Sequence, residues 1–303
     1  ERLKAELDIP VMHDDQHGTA IISSAALLNA LEIAKKDISK IKVVVNGAGA
    51  AAMSCSKLYL ALGVKKENLV MLDSKGVIRN NREGLEGNKE FFATNRRCET
   101  LEDAMKNADV FLGLSVANIV SKEMIQSMSK RPIVFALANP DPEISYNEAM
   151  SSRDDIIMAT GRSDHPNQVN NVLGFPYIFR GAMDVRATEI NENMKLAAVK
   201  AIANLAKETV LDEVSLAYDD NTLAFGPEYI IPKPLDPRLI TAVAPAVAMS
   251  AVRTGVAQEE IPDWNKYRES LKKRLGLDNE LIRTLTARAK RNPKKVVFAE
   301  AEH

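Results

Sequence analysis

Short apolar runs alternate along the chain with longer segments whose apolar residues recur at helical spacing. The runs are rich in β-branched side chains and carry few charges, which is typical of strands buried on both faces of a parallel sheet. They occupy residues 41–45, 68–73, 109–114, 132–138 and 156–160. The alternation predicts an α/β fold with a doubly wound, Rossmann-like and mostly parallel sheet.

Helical patterns separate these runs and continue beyond the last of them. No regular element is predicted between residues 164 and 173, and Pro245 is expected to kink or interrupt the helix that contains it. A helical C-terminal extension begins with an amphipathic piece at 264–271, then a basic helix at 280–291, and a strand starting at 296–299. The main helices are predicted at residues 20–36, 53–62, 87–95, 101–107, 121–129, 191–207 and 238–255.

Composition narrows the class of protein. The chain has 303 residues, of which 46% are hydrophobic, and a net charge of −1, so no global field favours nucleic acid or an anionic membrane. Two cysteines, Cys55 and Cys98, make no disulfide framework and fit a reducing cytoplasm. No apolar run reaches the ~18 residues of a membrane span. The chain begins at Glu1 without a signal peptide or an initiator Met, so we expect a fragment of a longer protein.

The turn after the first predicted strand has the pattern of a dinucleotide-binding unit. Gly47 permits a tight turn, and Gly49 has no Cβ, so that a pyrophosphate can approach the backbone. Ala52 stands where a third glycine often allows close packing of helix on strand. The free N–H groups of the helix that follows then face the phosphates. The alternative is a glycine turn between two packed elements that binds no ligand.

The second predicted strand ends in Asp73, at about the distance along the chain where an acid meets the adenosine ribose in this fold. Ser74 and Lys75 follow directly. A hydroxyl and an ammonium at that place suit the 2′-phosphate of NADP, which would favour NADP over NAD. A turn with a solvated lysine is an equally good interpretation.

Two adjacent carboxylates, Asp14 and Asp15, stand just before the first predicted helix. They are interpreted either as a helix cap with a first-turn charge or as ligands of a hard cation such as Mg²⁺ or Mn²⁺. His13 and His17 are four residues apart, which would suit zinc on a helix. Gly18 and a loop-like setting argue against zinc.

Polar residues also follow the later strands. Ser115, Asn139 and Gly161 each come directly after an apolar run, so they are predicted to share the carboxyl edge of the sheet with the glycine turn. Amides crowd the next loop, and they suit a carboxylate or carboxamide ligand or, equally, a polar turn. These amides are Asn167, Gln168, Asn170 and Asn171.

Five segments taken together resemble a known family. HDDQHGTA, VVVNGAGAAAM, LDSKG, LANPDPE and NQVNNVLGFPYIFRGAMDV, in this order, are similar to the cofactor-binding domain of malic enzyme, of the bacterial type with an appended phosphotransacetylase-like domain. The resemblance covers roughly residues 9–254, the predicted NAD(P)-binding domain. The tail AKRNPKKVVFAEAE resembles the start of the appended domain, so residues 255–303 are interpreted as a linker and its truncated beginning.

The resemblance implies oxidative decarboxylation of malate to pyruvate and CO₂ with NADP or NAD and with Mg²⁺ or Mn²⁺, in a cytoplasmic and homo-oligomeric enzyme. It implies that Asp15 ligates the metal and that Asp14 supports both the metal and catalysis. Asn139 would meet the nicotinamide and the substrate, and Asn171, with Asn170, would contact malate. The pyrophosphate would lie on Ala48, Gly49, Ala50 and Ala51.

The family also has a tyrosine acid, a lysine base and two further acidic metal ligands in an N-terminal domain that would precede Glu1. The chain by itself is therefore expected to lack most of the acid–base groups and to be inactive alone. Two rival hypotheses remain. One is an amino-acid or methylenetetrahydrofolate dehydrogenase, which needs no acidic metal pair, and the other is a non-catalytic dinucleotide-binding module.

Overall fold

The computed structural model describes Leu3, Glu6, Leu7 and residues 9–274. It divides into two compact units, Glu1–Glu260 and Ile261–His303. Within the described residues no helix is long and apolar enough to cross a membrane. The assignment of residues 9–254 and 255–303 to two different domains stays a prediction.

A six-stranded sheet forms the centre of the first unit, in the order β3-β2-β1-β4-β5-β6. All neighbouring strands pair in parallel except β2 and β3, which form an antiparallel hairpin that the sequence did not predict. The strand order reverses between β1 and β4, which is where ligands bind in this class of sheet. The strands are β1 (Val43–Asn46), β2 (Leu69–Asp73), β3 (Gly76–Val77), β4 (Val110–Gly113), β5 (Ile133–Ala136) and β6 (Ile157–Thr160).

Helices cover both faces of this sheet, and β1, β4, β5 and β6 are buried along their whole lengths. The Rossmann-like, mostly parallel fold is thereby confirmed. Short 3₁₀ helices occur at Lys66–Asn68 and Asn171–Leu173, the second of them in a segment predicted to be irregular. The α-helices are α1 (Asp14–Ala34), α2 (Ala50–Leu62), α3 (Asn88–Phe92), α4 (Leu101–Met105), α5 (Lys122–Ser127), α6 (Tyr146–Met150), α7 (Phe175–Asp184), α8 (Glu192–Leu205), α9 (Asp212–Ala217), α10 (Leu239–Arg253) and, in the second unit, α11 (Trp264–Arg274).

Helix α1 begins at Asp14 and not at residue 20 as predicted, so the loop-like setting assigned to the two aspartates was wrong. Both carboxylates lie in the first turn, where they interact favourably with the helix dipole. A residue without a side chain is required at position 18 of the helix, because a Cβ at Gly18 would lie 2.3 Å from Oδ1 of Asp14 and 2.9 Å from Cγ of Asn171. The glycine therefore allows the loop after β6 to pack directly on the start of α1.

Two buried amides join distant parts of the first unit. Asn29 of α1 donates to the carbonyls of Ala203 and Ile230, each at 2.8 Å. Asn167 donates to the carbonyl of Met158 in β6 and to that of Pro227, and it accepts from the N–H of Ile230. Asn167 therefore holds the segment that contains Pro227 and Ile230 against the sheet, and of the two interpretations of the amide loop the structural one applies to this residue.

Helices α7, α8 and α10 pack together beside α1. Helix α10 continues through Pro245 without interruption, so of the two predicted outcomes, a kink or an interruption, the interruption was wrong. Gly181 of α7 lies against α10 so closely that a Cβ at this position would be 2.2 Å from the carbonyl oxygen of Ala244. The sequence also missed α6, α7 and α9. The helix and strand predicted at 280–291 and 296–299 lie outside the described residues.

The contact at Gly181 yields a stability prediction. Gly181→Ala should lower the free energy of unfolding by about 1–3 kcal/mol, because the added methyl forces α7 and α10 apart. Urea unfolding followed by circular dichroism measures the change. Gly226→Ala is the matched control, since a Cβ there meets nothing closer than 3.7 Å. Equal effects of the two substitutions would contradict the packing argument.

Candidate active site

A cleft of about 530 Å³ opens at the carboxyl edge of the sheet. It brings together the start of α1, the loops that follow β4, β5 and β6, and the first turn of α2. Its lining includes seven residues that the sequence singled out and six that it did not. The seven are Asp14, Asp15, Ala51, Asn139, Gly161, Asn170 and Asn171, and the others are Thr19, Leu114, Leu137, Val169, Val172 and Phe175.

The glycine turn has the geometry expected for an anion site. Gly47 has φ +127°, and a Cβ there would lie 2.6 Å from the carbonyl oxygen of Leu114, so only glycine fits. Gly49 differs, since an added Cβ would meet no atom within 4 Å. Gly49 is the N-cap of α2 and no side chain caps this helix. The first N–H groups of α2 are therefore open to an incoming ligand.

A second cleft, of about 640 Å³, adjoins the glycine turn. Ala48, Gly49 and Ala50 form part of its wall, together with basic side chains from α2, α3 and α8. His17 of α1 also lines it and lies 3.2 Å from Nζ of Lys195, whereas His13 is the exposed N-cap of α1. The basic side chains are Lys57, Lys89 and Lys195.

Asp73 at the end of β2 is the centre of an ion cluster. Its Oδ2 accepts from Arg82 at 2.8 Å and from Lys89 at 2.9 Å, and its Oδ1 accepts from the backbone N–H of Lys75 at 2.9 Å. Burial opposes ionisation, but these hydrogen bonds outweigh it and hold the pKa of the Asp73 carboxyl well below its usual value. Ser74 and Lys75 are exposed in the β2–β3 turn and line neither cleft, so their contact with a cofactor stays a prediction.

The two carboxylates of the acidic pair, Asp14 and Asp15, differ in burial. Oδ1 of Asp14 is buried and has no hydrogen-bond partner among the described residues, while the Asp15 side chain is exposed. Burial raises the pKa of the Asp14 carboxyl, the nearby amide of Asn171 opposes the rise, and the charge of Asp15 adds to it. An unpartnered buried oxygen beside a second carboxylate suits a hard cation. The described residues contain no group of three or more metal-ligating side chains.

The amide side chains of the cleft have different local roles. Asn171 donates to the carbonyl of Asp14 at 3.3 Å and accepts from Thr19 Oγ1 at 3.1 Å, so it is fixed against α1. Asn170 caps the 3₁₀ helix by accepting from the N–H of Val172. Asn139 follows β5, precedes a cis peptide bond to Pro140, and is exposed at the cleft. A Cβ at Gly161 would lie 3.3 Å from Oδ1 of Asn139, so this glycine makes room for the amide.

Ser115 follows β4, and its hydroxyl accepts from the amide of Asn46 at 2.7 Å. Its backbone N–H donates to the buried carboxylate of Glu143 at 3.0 Å. The roles of Asn46 and Glu143 were not predicted from the sequence, and neither were those of Arg82 and Lys89. Sequence spacing does not identify a loop residue whose hydrogen-bond partner lies on another strand. The one available signal for Glu143 was its place at the end of NPDPE, after two prolines.

The fold and this edge of the sheet define a Rossmann-like α/β domain of the dinucleotide-binding class. A family described as "Malic enzyme, NAD binding domain" matches residues 16–218. The chain therefore belongs to the malic enzyme family, and the resemblance found in the sequence is confirmed.

Named relatives agree with this assignment. The chain is 52% identical over 303 residues to an "NADP-dependent malic enzyme" of Rhizobium meliloti, covering 100% of this chain and 40% of that protein. It is 48% identical over 303 residues to an "NAD-dependent malic enzyme" of the same organism, covering 99% of this chain and 39% of the relative. The crystal structure of malic enzyme from Pyrococcus horikoshii superimposes with a TM-score of 0.80 at 37% identity, covering 96% of this chain and 66% of that one. The chain thus spans about 40% of the length of these two Rhizobium meliloti relatives.

The cluster at Asp73 predicts a pH-dependent stability. Asp73→Asn should lower the free energy of unfolding by about 2 kcal/mol at neutral pH, since Arg82 and Lys89 lose a charged partner. Because the pKa of Asp73 is lower in the folded than in the unfolded protein, this stabilisation is present above about pH 4. It is lost as the pH falls towards the folded pKa.

Urea unfolding of Asp73→Asn and of the unchanged protein over a series of decreasing pH values measures the difference. Asp154→Asn, which removes an exposed carboxylate, is the matched control. A stability difference that stays the same at acidic pH would rule out the ionic origin.

Proposed function

We propose that the full-length protein is a malic enzyme, which oxidises malate with NADP or NAD and releases pyruvate and CO₂. One observation carries the proposal. Asp14 and Asp15 share one cleft with Asn139 and Asn171, and Ala51 of the dinucleotide turn lines the same cleft. One cleft is therefore lined by two carboxylates suited to a metal ion, by amides suited to a substrate carboxylate, and by the N-terminus of a helix suited to a phosphate. We further propose that the protein is cytoplasmic and homo-oligomeric.

The dinucleotide would bind with its pyrophosphate on Ala48, Gly49, Ala50 and Ala51. The uncapped N–H groups of α2 and the helix dipole supply the attraction, and Gly49 leaves room for close approach. The nicotinamide would then lie over the ends of β4 and β5, within reach of Asn139. At the other end, Asp73 and its cations would border the adenosine ribose.

Malate would bind between the amides and the acidic pair. Asn171 keeps one of its two amide hydrogens free of the contact with Asp14, and Asn170 has its amide nitrogen available, since only its oxygen caps the 3₁₀ helix. Both amides can therefore donate to a substrate carboxylate. Val172 and Phe175 form an apolar side of the cleft.

Asp15, supported by Asp14, would hold Mg²⁺ or Mn²⁺. When bound, such an ion polarises the 2-hydroxyl and the developing keto oxygen and stabilises the negative charge left when CO₂ departs. The lining of the cleft contains no lysine or tyrosine among the described residues. The acid and base that the resemblance implies would therefore be contributed by residues outside this chain.

The proposed function is tested with the purified full-length protein, L-malate, NADP⁺ and Mn²⁺. We expect reduced nicotinamide and pyruvate to form in equal amounts, and activity to disappear on chelation and return with added metal. Turnover without metal would favour an amino-acid or methylenetetrahydrofolate dehydrogenase. Tight dinucleotide binding without turnover of malate would favour the non-catalytic module.

Cofactor choice generates a paired prediction. Lys75→Gln should weaken NADP⁺ binding more than NAD⁺ binding, by the ~1.5–3 kcal/mol of a charged hydrogen bond, since Ser74 and Lys75 are proposed to hold the 2′-phosphate. Fluorescence titration with NADPH and NADH measures both affinities. Lys89→Gln, which removes the same charge from the other side of Asp73, is the comparison. A selective loss of NADPH affinity in Lys89→Gln alone would transfer the role to Lys89.

The amide loop generates another prediction. Asn171→Ala should raise the KM for malate or lower kcat by about 10- to 100-fold while leaving the dinucleotide Kd nearly unchanged, because a donor to the substrate is lost. Thr19→Val is the matched comparison, since it removes the internal partner of Asn171 but keeps the amide. Equal kinetic effects of the two substitutions would mean that Asn171 only holds the loop against α1.

A further inference from the structure

Glu143 is a wholly buried acid with 0% exposure, located seven residues after the end of β5 in the loop that leads to α6. No hydrogen bond or ion pair joins its carboxylate to a cationic side chain in the described part of the chain. Burial raises the pKa of the Glu143 carboxyl, and hydrogen bonds from backbone N–H groups oppose that rise. Burial of a carboxylate is unfavourable unless its oxygens accept hydrogen bonds, so the partners of these oxygens indicate its role.

The two carboxylate oxygens hold two different loops of the candidate active site. Oε1 accepts from the N–H of Ser115 at 3.0 Å, and Oε2 accepts from the N–H of Ala138 at 3.1 Å. Ser115 begins the loop after β4, and Ala138 immediately precedes Asn139 in the loop after β5. A single rigid carboxylate therefore sets the separation of the two strand ends over which the nicotinamide is proposed to lie.

The sequence around Glu143 is fitted to this arrangement. A Cβ at Gly113, the last residue of β4, would lie 2.3 Å from Cδ of Glu143, so the carboxyl group sits where any other residue would place a side chain. The backbone of the same loop is also fixed, since the N–H of Val120 donates to the Glu143 carbonyl at 3.0 Å. Asn46 extends the connection to β1 through the Ser115 hydroxyl. Three neighbouring parallel strands are thus joined at their carboxyl ends.

We propose that Glu143 is a positioning residue of the proposed malate oxidation, which acts through Asn139 and the Ser115 loop to hold the nicotinamide over the substrate. The inference rests on the proposed function. It assigns Glu143 no contact with substrate or cofactor. Its effect is on the orientation of groups that make those contacts, to which hydride transfer is sensitive.

The test uses Glu143→Gln in the full-length protein. The amide keeps the size of the side chain but presents an NH₂ group to one of the two N–H donors, so one loop is released. We expect kcat to fall by about 10²-fold, as for a misplacement of about 1 Å, with a dinucleotide Kd within about threefold of the unchanged protein. The primary isotope effect with 2-deuterated malate should rise, because a misaligned nicotinamide makes hydride transfer more rate-limiting.

Two comparisons separate positioning from general damage. Glu143→Gln should lower kcat much less in the Asn139→Ala background than in the unchanged protein, because one of the two groups through which Glu143 acts is already removed. Glu148→Gln, an exposed glutamate on α6, is the matched control. Gly113→Ala reaches the same carboxyl from the other side and should reproduce the lowered kcat and raised isotope effect, whereas Gly226→Ala should not. Gly113→Ala decides the matter if Glu143→Gln fails to fold.

Additive losses in the double variant, or Glu143→Gln and Gly113→Ala proteins that turn over malate like their controls, would overturn the positioning role. An unchanged protein that never oxidises malate would instead overturn the proposed function. The two failures are therefore distinguishable.

Discussion

The parallel direction of five strands is the constraint on which the rest of the structure depends. Because β1, β2, β4, β5 and β6 point the same way, their carboxyl ends and the loops that follow meet at one edge. A parallel sheet must be covered on both faces, so the helices cannot cover this edge as well. Residues far apart in the sequence, such as Gly49, Asn139 and Asn171, therefore lie around one opening.

Backbone N–H groups at this edge find no hydrogen-bond partner within the sheet, and they fall into two kinds. Where the loops must be rigid, buried side chains supply the partners, as Glu143 does for the N–H groups of Ser115 and Ala138. At the start of α2, no side chain does so, and the N–H groups stay open beside Gly49. A backbone N–H group that already has a side-chain acceptor belongs to the framework of the site. A backbone N–H group without an acceptor is available to a ligand.

The sequence predicted what depends on local pattern and missed what depends on tertiary pairing. Buried β-branched runs and the Gly47 turn predicted five strands and the helix start. Burial on both faces requires apolar residues, and a positive φ favours glycine, so both features can be read from the sequence. The start of α1 was missed because HDDQHGT has a loop-like composition, whereas packing against Asn171 makes Gly18 helical. Glu143 and Arg82 were missed since their partners lie on other elements. Amide crowding singled out Asn170 and Asn171, which line the cleft, and also Asn167, which is buried and bonded to the backbone of other segments.

The location of the dinucleotide is the central claim, and a crystal structure of the protein with NADP⁺ tests it most directly. We predict that pyrophosphate oxygens lie within hydrogen-bonding distance of the N–H groups of Ala50 and Ala51, in the space beside Gly49 where a Cβ would meet nothing. The nicotinamide should then lie beside Asn139, over the loops that Glu143 joins. A pyrophosphate bound instead among Lys57 and Lys195, with the start of α2 left open, would contradict the account.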